Sequence, residues 1–254
     1  MPPIVTLLTD FGLVDSYVAE MKGVLLSMAP RVELIDISHD IAAGDIRTAA
    51  YVLGRAWPAF PEGTVHLAVV DPGVGTERRA LAATSGGHYF VAPDNGILSS
   101  LPADAQFVAF EAPPGVAPTF HGRDVFAPAV AALANGTGLT HLGPIVTDAR
   151  RLPLARVERR GESWHGEVIH VDRFGTLVSN VLPQPDRAGG ASRVRVGDRD
   201  IGPVVRTFAD VPGGAPVAFV GSGGTIEIAV RDGNAARELG VGVGAPVVMT
   251  MPQS

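Results

Sequence analysis

The chain has 254 residues, 46% hydrophobic and 18% charged, enough apolar material for one large domain or two modest ones. A net charge of −6 with no Lys/Arg run beyond two residues leaves no basic patch for nucleic acid. With no cysteine, disulfides, thiolate metal sites and a cysteine nucleophile are excluded.

The opening segment "MPPIVTLLTD" lacks the basic flank of a secretory signal. No apolar run reaches the ~18–20 residues of a membrane-spanning helix. Cytoplasmic residence without a membrane partner is the simplest expectation. "PIVTLLT" reads as a strand ending at Asp10. From Asp15 to Met28, Val18, Met21, Leu25 and Met28 fall on one helical face, and Pro30 closes the segment. "VELIDI" is a second strand. Asp45 then caps a helix with Ile46, Ala50, Leu53 and Trp57 on one face. "TVHLAVV" is a third strand, and "LAATS" and "YFVA" form a hairpin across Gly86-Gly87. "QFVAF" is a further strand, and Asp124 to Asn135 a helix ended by Gly136. The alternation predicts a three-layer α/β domain with a mainly parallel sheet over residues 1–155.

Past about residue 155 the pattern changes. "GEVIHVD", "TLVSNV", "SRVRV", "APVAFVG", "TIEIAVR" and "PVVMTM" are short strand candidates separated by Gly, Pro and Asp, and only "NAARELG" looks helical. This predicts an all-β, barrel-like domain over residues 162–254, joined through the polar, proline-broken stretch near 150–162.

In open α/β sheets, ligands bind beyond the carboxyl ends of the strands. Here Asp10 follows the first strand, Ser38-His39-Asp40 the second and Asp71 the third, so three carboxylates are expected at one edge. Asp is also a common turn and cap residue, which is the bland alternative for each. "DPGVGT" lacks the lysine of a phosphate loop, and "TDFG" matches the kinase magnesium motif with nothing else of a kinase present. In "TFHGRDVFAPAVAAL", His121 precedes a glycine that permits close approach, while Arg123 and Asp124 suit a helix-start ion pair. The seven histidines include no close helical pair of the kind that binds zinc, so a metal would have to be assembled from distant loops; none is expected.

Taken in order, "LTDFG", "DPGVGTERR", "FVAPDNG", "TFHGRD" and "VDRFG…SN" resemble the S-adenosylmethionine hydroxide adenosyltransferase family, hydrolases related to the fluorinating and chlorinating adenosyl halide synthases. The resemblance covers nearly the whole chain. It implies displacement at the ribose 5′ carbon of S-adenosylmethionine, releasing adenosine and methionine, without a cofactor. It also implies an α/β domain plus a β-barrel domain, and a homotrimer with sites between neighbouring subunits. The branch is associated with the sulfonium epimer that methyltransferases cannot use.

The family's Asp-Arg-His trio matches Asp71, Arg78 and His121. The halide enzymes have Tyr where Asp71 stands, Thr near Val74 and Ser where Gly122 stands, so this chain has the hydrolytic pattern. Asp10 suits the ribose diol, since one carboxylate can accept from both hydroxyls, and the resemblance implies that Asn180, Ser222, Glu227 and the Val230 backbone line the adenosyl or methionine end. Phe174 or Phe208 would stack on the base, and Asp172 would face the methionine ammonium. Glu227 reads equally as a plain polar strand position, and Asp15 and Lys22 as surface or cap residues. One position departs: the family's "FGN" is "FGT", with Thr176 able to keep one hydrogen bond. On this reading Arg78 stabilises a developing hydroxide, His121 orients it or takes its proton, and Asp71 holds both in register. A binding module that does not turn substrate over, a halide-using transferase and a metal-dependent hydrolase are the alternatives.

Overall fold

The computed structural model describes residues 2–153, 155–184 and 191–251, in two compact units, Met1–Leu152 and Pro153–Ser254. In the first unit, seven strands form one sheet: β1 (Ile4–Thr9), β2 (Glu33–Ser38), β3 (Val65–Val69), β4 (Ala80–Ser85), β5 (His88–Pro93), β6 (Gln106–Phe110) and β7 (Ile145–Val146). Their order is β2-β1-β3-β5-β4-β6-β7. The half running from β2 to β5 is parallel, and the half from β5 to β7 is antiparallel. The direction changes at the two-residue hairpin turn, where Gly86 and Gly87 have φ of +55° and +79°. Two successive positive φ values match the right-handed strand twist and strongly favour glycine.

Strand alternation sends side chains into two separate cores. Val5, Leu7, Leu67 and Val69 pack on one face against helices α1 (Tyr17–Met28) and, later in the chain, α3 (Ala127–Ala134). Leu8, Ala68 and Val70 point the other way, toward α2 (Ile46–Ala56) and a 3-10 turn at Ile97–Ser100. The result is three layers. In α1, Val18, Met21 and Leu25 are buried as expected, but Met28 is 49% exposed because the apolar stripe stops one turn early. In α2 the Asp45 carboxylate accepts from Thr48 N at 3.0 Å, satisfying an otherwise unpaired amide. Trp57 lies beyond α2, in a short 3-10 turn shared with Pro58. The helix expected from Asp124 begins earlier, as a π-helical turn over Gly122–Phe126 that leads into α3.

The second unit is a barrel. Its strands are β8 (Glu158–Arg160), β9 (Ser163–Val171), β10 (Leu177–Ser179), β11 (Arg193–Val196), β12 (Arg199–Val205), β13 (Pro216–Val220), β14 (Ile226–Val230) and β15 (Pro246–Thr250). Seven of them close a ring, β9-β10-β14-β13-β12-β11-β15, and β15 returns to β9. β9 closes it alone: residues Ser163 to Glu167 pair with β15, and Val168, His170 and Val171 pair with β10. β8 adds to β9 outside the ring. Ile226, Ile228 and Val230 of β14 point into the barrel core, which leaves Glu227 and Ala229 on its outer wall. The segment read as helical contains α4 (Ala235–Leu239), capped by Asn234 and ended by Gly240 at φ +69°.

Candidate active site

Because β1, β2 and β3 are parallel, Asp10, Asp40 and Asp71 leave the sheet at one edge. After Asp71 the chain turns back on itself. Gly73 N donates to Asp71 Oδ1 at 3.2 Å, and the Thr76 hydroxyl donates to Gly73 O at 2.6 Å. Gly75 has φ +77°, and a Cβ there would lie 2.8 Å from Pro118 O. Only glycine fits both demands. This close approach brings the Asp71 turn against the segment that leads into His121.

The turn delivers Arg78 to Asp71. The guanidinium spans the carboxylate, with Nε 3.0 Å from Oδ1 and 2.9 Å from Oδ2, and Nη2 also donating to Oδ2. Both side chains are nearly buried, at 9% and 4% exposure, so solvent screens the pair weakly. Arg78 also lies over the Phe126 ring, 5.0 Å from its centroid. Its Nη2 is 2.9 Å from His121 Nδ1. A guanidinium has no acceptor, so Nδ1 must accept, and the neutral ring carries its proton on Nε2. Burial holds His121 below the ordinary histidine pKa, and the positive charge of Arg78 adds to the effect. His121 is therefore a neutral imidazole at pH 7, with Nε2 as a donor.

Arg78 lines two cavities. One, of about 530 Å³, also has His121, Glu77, Glu111 and Val125 in its wall. The other, of about 690 Å³, has Asp71, Asn95, Arg150 and Ile46. Asp10 lines neither, although it lies on the same edge. Its Oδ2 accepts from Gly44 N at 2.8 Å, and a Cβ added at Gly44 would reach Pro72 at 3.8 Å. Asp15 and Lys22 take no part in this cluster: Asp15 is exposed, and Lys22 pairs with Asp36 at 2.7 Å.

In the barrel unit, Asp172, Phe174, Phe208, Ser222, Glu227 and Val230 line one groove of about 920 Å³. Thr176 is in the same lining. Phe174 is 76% exposed and Phe208 45%, while the Phe208 ring leans on Phe219 at 4.5 Å. Asp172 holds its own turn, accepting from Phe174 N at 2.9 Å and Thr176 N at 2.8 Å through Oδ1. Gly221 lies directly against the Glu227 carboxylate, with no room for a Cβ. Asn180 is outside this groove. Its amide accepts from Glu167 N at 2.9 Å and donates to Ala155 O at 3.0 Å.

Several contributors escaped sequence reasoning. Asn95 Nδ2 donates to Val70 O at 2.8 Å, fixing the end of β3 immediately before Asp71. Its signal was "PDNG", a polar turn after an apolar strand. Phe126, stacked under Arg78, is hidden in an ordinary helical apolar pattern. Among the described residues, no group of three or more His, Asp or Glu side chains is arranged to hold a metal ion. No described helix is long and apolar enough to cross a membrane.

Comparison with known proteins follows the same two units. Residues 5–143 match the SAM hydroxide adenosyltransferase N-terminal domain, and residues 166–248 match the C-terminal domain of that family. An (R)-S-adenosyl-L-methionine hydrolase of Thermus thermophilus is 47% identical, over 94% of this chain and 96% of its own. A fluorinase of an Actinoplanes species is more distant, at 27% identity over 98% of this chain and 97% of its own. A crystal structure of an uncharacterized conserved protein from Thermotoga maritima superposes with a TM-score of 0.86 at 34% identity, covering 97% of this chain and 99% of that one. Two domain matches in order, and a near-half-identical relative along almost the full length, place this chain in the SAM hydroxide adenosyltransferase family.

Proposed function

We propose that the protein hydrolyses S-adenosyl-L-methionine to adenosine and L-methionine, with preference for the (R)-sulfonium epimer and without a cofactor. The observation that carries the reading is the Arg78 guanidinium, which grips the Asp71 carboxylate and donates to His121 Nδ1. The water oxygen attacks the ribose 5′ carbon while the carbon–sulfur bond breaks. Its electron pair stays on sulfur, so methionine leaves as a neutral thioether and needs no general acid. The surplus proton of the attacking water goes to solvent.

Arg78 and the Nε2–H of His121 supply donors to the oxygen as it gains hydroxide character. With Nδ1 occupied by Arg78, His121 orients the nucleophile and does not take its proton. Asp71 fixes the guanidinium in place. Loss of one such donor costs about 10²–10³-fold in turnover. Holding water and carbon in line contributes more, about 7–11 kcal/mol. Asp10 receives the ribose hydroxyls. The barrel groove receives the remainder of the substrate: Glu227 and Ser222 offer polar contacts, Phe174 or Phe208 an aromatic face, Asp172 a carboxylate for the ammonium, and Val230 its backbone. Asn180 acts there indirectly, through the backbone it ties down. The active form is a cytoplasmic homotrimer with sites between neighbouring subunits.

The test is to incubate purified protein with each separated sulfonium epimer and follow adenosine release. Faster release from the (R) epimer, unaffected by a chelator, is expected. Binding without adenosine release would leave a non-catalytic module, and 5′-chloroadenosine formed in chloride would make the protein a halide-using transferase. Sedimentation at a mass below three chains would remove the trimer.

A further inference from the structure

The turn that carries Asp10 is fastened from within the sheet by a histidine outside the Asp-Arg-His trio. We infer that His39 is a positioning residue for substrate binding, acting through the Thr9 hydroxyl on Asp10. This rests on the reading of Asp10 as the ribose-binding carboxylate.

His39 directly follows β2 and is 4% exposed, and Thr9, the last residue of β1, is fully buried. Their side chains meet with Thr9 Oγ1 2.8 Å from His39 Nδ1. The same hydroxyl accepts from Phe11 N at 3.3 Å. The His39 carbonyl accepts from Gly12 N at 2.8 Å. Residues 9, 11 and 12, on both sides of Asp10, are thus tied to His39 directly or through one hydroxyl. Asp10 is then aimed by one further bond, from Gly44 N.

The hydrogen-bond directions agree. Thr9 Oγ1 accepts from the Phe11 amide and keeps its own proton to donate, and Nδ1 accepts that proton when the ring's own proton is on Nε2. On the other side of the ring, Nε2 faces the Asp36 carboxylate, 3.0 Å from Oδ1, which favours the ring proton on Nε2. Asp36 is itself held by Lys22 of α1 at 2.7 Å. The enclosed ring thus has two polar contacts, the Asp36 carboxylate at Nε2 and the Thr9 hydroxyl at Nδ1. Replacing His39 by an apolar side chain leaves the buried Thr9 hydroxyl proton without its acceptor, in the turn that sets the Asp10 carboxylate. A core histidine with a purely structural role would lower stability without selecting substrate affinity.

The experiment compares His39→Leu, His39→Asn, Thr9→Val, Asp10→Asn and the His39→Leu/Thr9→Val double variant by steady-state hydrolysis of S-adenosyl-L-methionine. Leucine accepts nothing, whereas asparagine can put Oδ1 near the position of Nδ1 and accept the threonine proton. His39→Leu and Thr9→Val should each raise KM about tenfold with kcat within about twofold. The double variant should be no worse than either single one, and His39→Asn should stay near the parent KM. Should His39→Leu fail to fold, Thr9→Val carries the test, since it keeps the side-chain shape. If Asp10→Asn raises KM and the Thr9 and His39 variants do not, the positioning role is wrong while the ribose reading stands. If Asp10→Asn leaves KM unchanged, both fall. Additive effects in the double variant, a loss confined to kcat, or no rescue by asparagine would also overturn the inference.

Discussion

Asp71 is held by the Nε–Nη2 edge of one guanidinium, and His121 is held by the same Nη2. Removing the carboxylate charge therefore acts on two partners at once. Asp71→Asn should lower kcat by about 10²-fold, with KM changed less than threefold, because the Asp10 turn is untouched. Arg78→Lys should be nearly as damaging, since a lysine cannot reach carboxylate and imidazole together in one plane; retention of more than a tenth of parent kcat would refute the bridging role. The pH profile follows from His121. Burial and Arg78 lower its pKa, so the ring is neutral above the ordinary histidine value of about 6.5. Activity should be flat near neutrality and fall on an acid limb whose midpoint lies below that value, as Nδ1 gains a proton and repels Arg78. A limb centred above 6.5 would contradict the assignment. The turn after β3 is legible in "DPGVGTERR", whose proline and two glycines break an apolar strand, but the choice of Arg78 over Arg79 as the partner of Asp71 rests on the family resemblance. The Asn180 contacts were not legible, since a polar residue after a strand gives no sign of whether it faces ligand or backbone.

Among the elements, the Asp71 turn and the Pro118 segment approach too closely for any side chain at Gly75. Gly75→Ala should cost about 1–3 kcal/mol from its left-handed backbone and the overlap with Pro118 O. It should lower kcat as well, because the turn holds Arg78 against His121. A stable, fully active alanine variant would show that this contact is dispensable. Strand order was only partly readable from element types. The helix–strand alternation gave the parallel half, and the Gly-Gly turn gave the hairpin. That β5 inserts beside β3 is set by long-range pairing, Val65 with Tyr89 and Leu67 with Val91, which no local pattern records. The π-helical start at Gly122–Phe126 was likewise invisible, because its apolar spacing passes for an ordinary helix.

At the scale of the whole molecule, a second histidine group bears on stability in acid. His66 is fully buried, bonded to Thr6 at 2.8 Å and 3.2 Å from His88 Nδ1. Burial, with a smaller effect of His88, pushes its pKa down to about 3. Between about 6.5 and that value the unfolded chain binds a proton that the folded chain does not, so stability falls as pH is lowered, by up to ~1.4 kcal/mol per pH unit. Below about 3 both forms are protonated and this contribution levels off. Melting temperatures should drop between pH 6.5 and 4, and His66→Asn, which can still accept from Thr6, should flatten the slope; an unaltered slope would assign acid lability elsewhere. The closed ring has another outcome. Its first and last strands pair, with Ser163 bonded to Thr250 across 87 positions of chain. During synthesis, then, the barrel cannot shut until residue 250 has emerged, whereas every member of the Asp71–Arg78–His121 set has been made more than a hundred residues earlier. Emerging chains would pass through a stage with the first unit formed and the second still open along the Ser163–Glu167 stretch of β9 that β15 later covers, the interval in which a nascent-chain chaperone has most to shield.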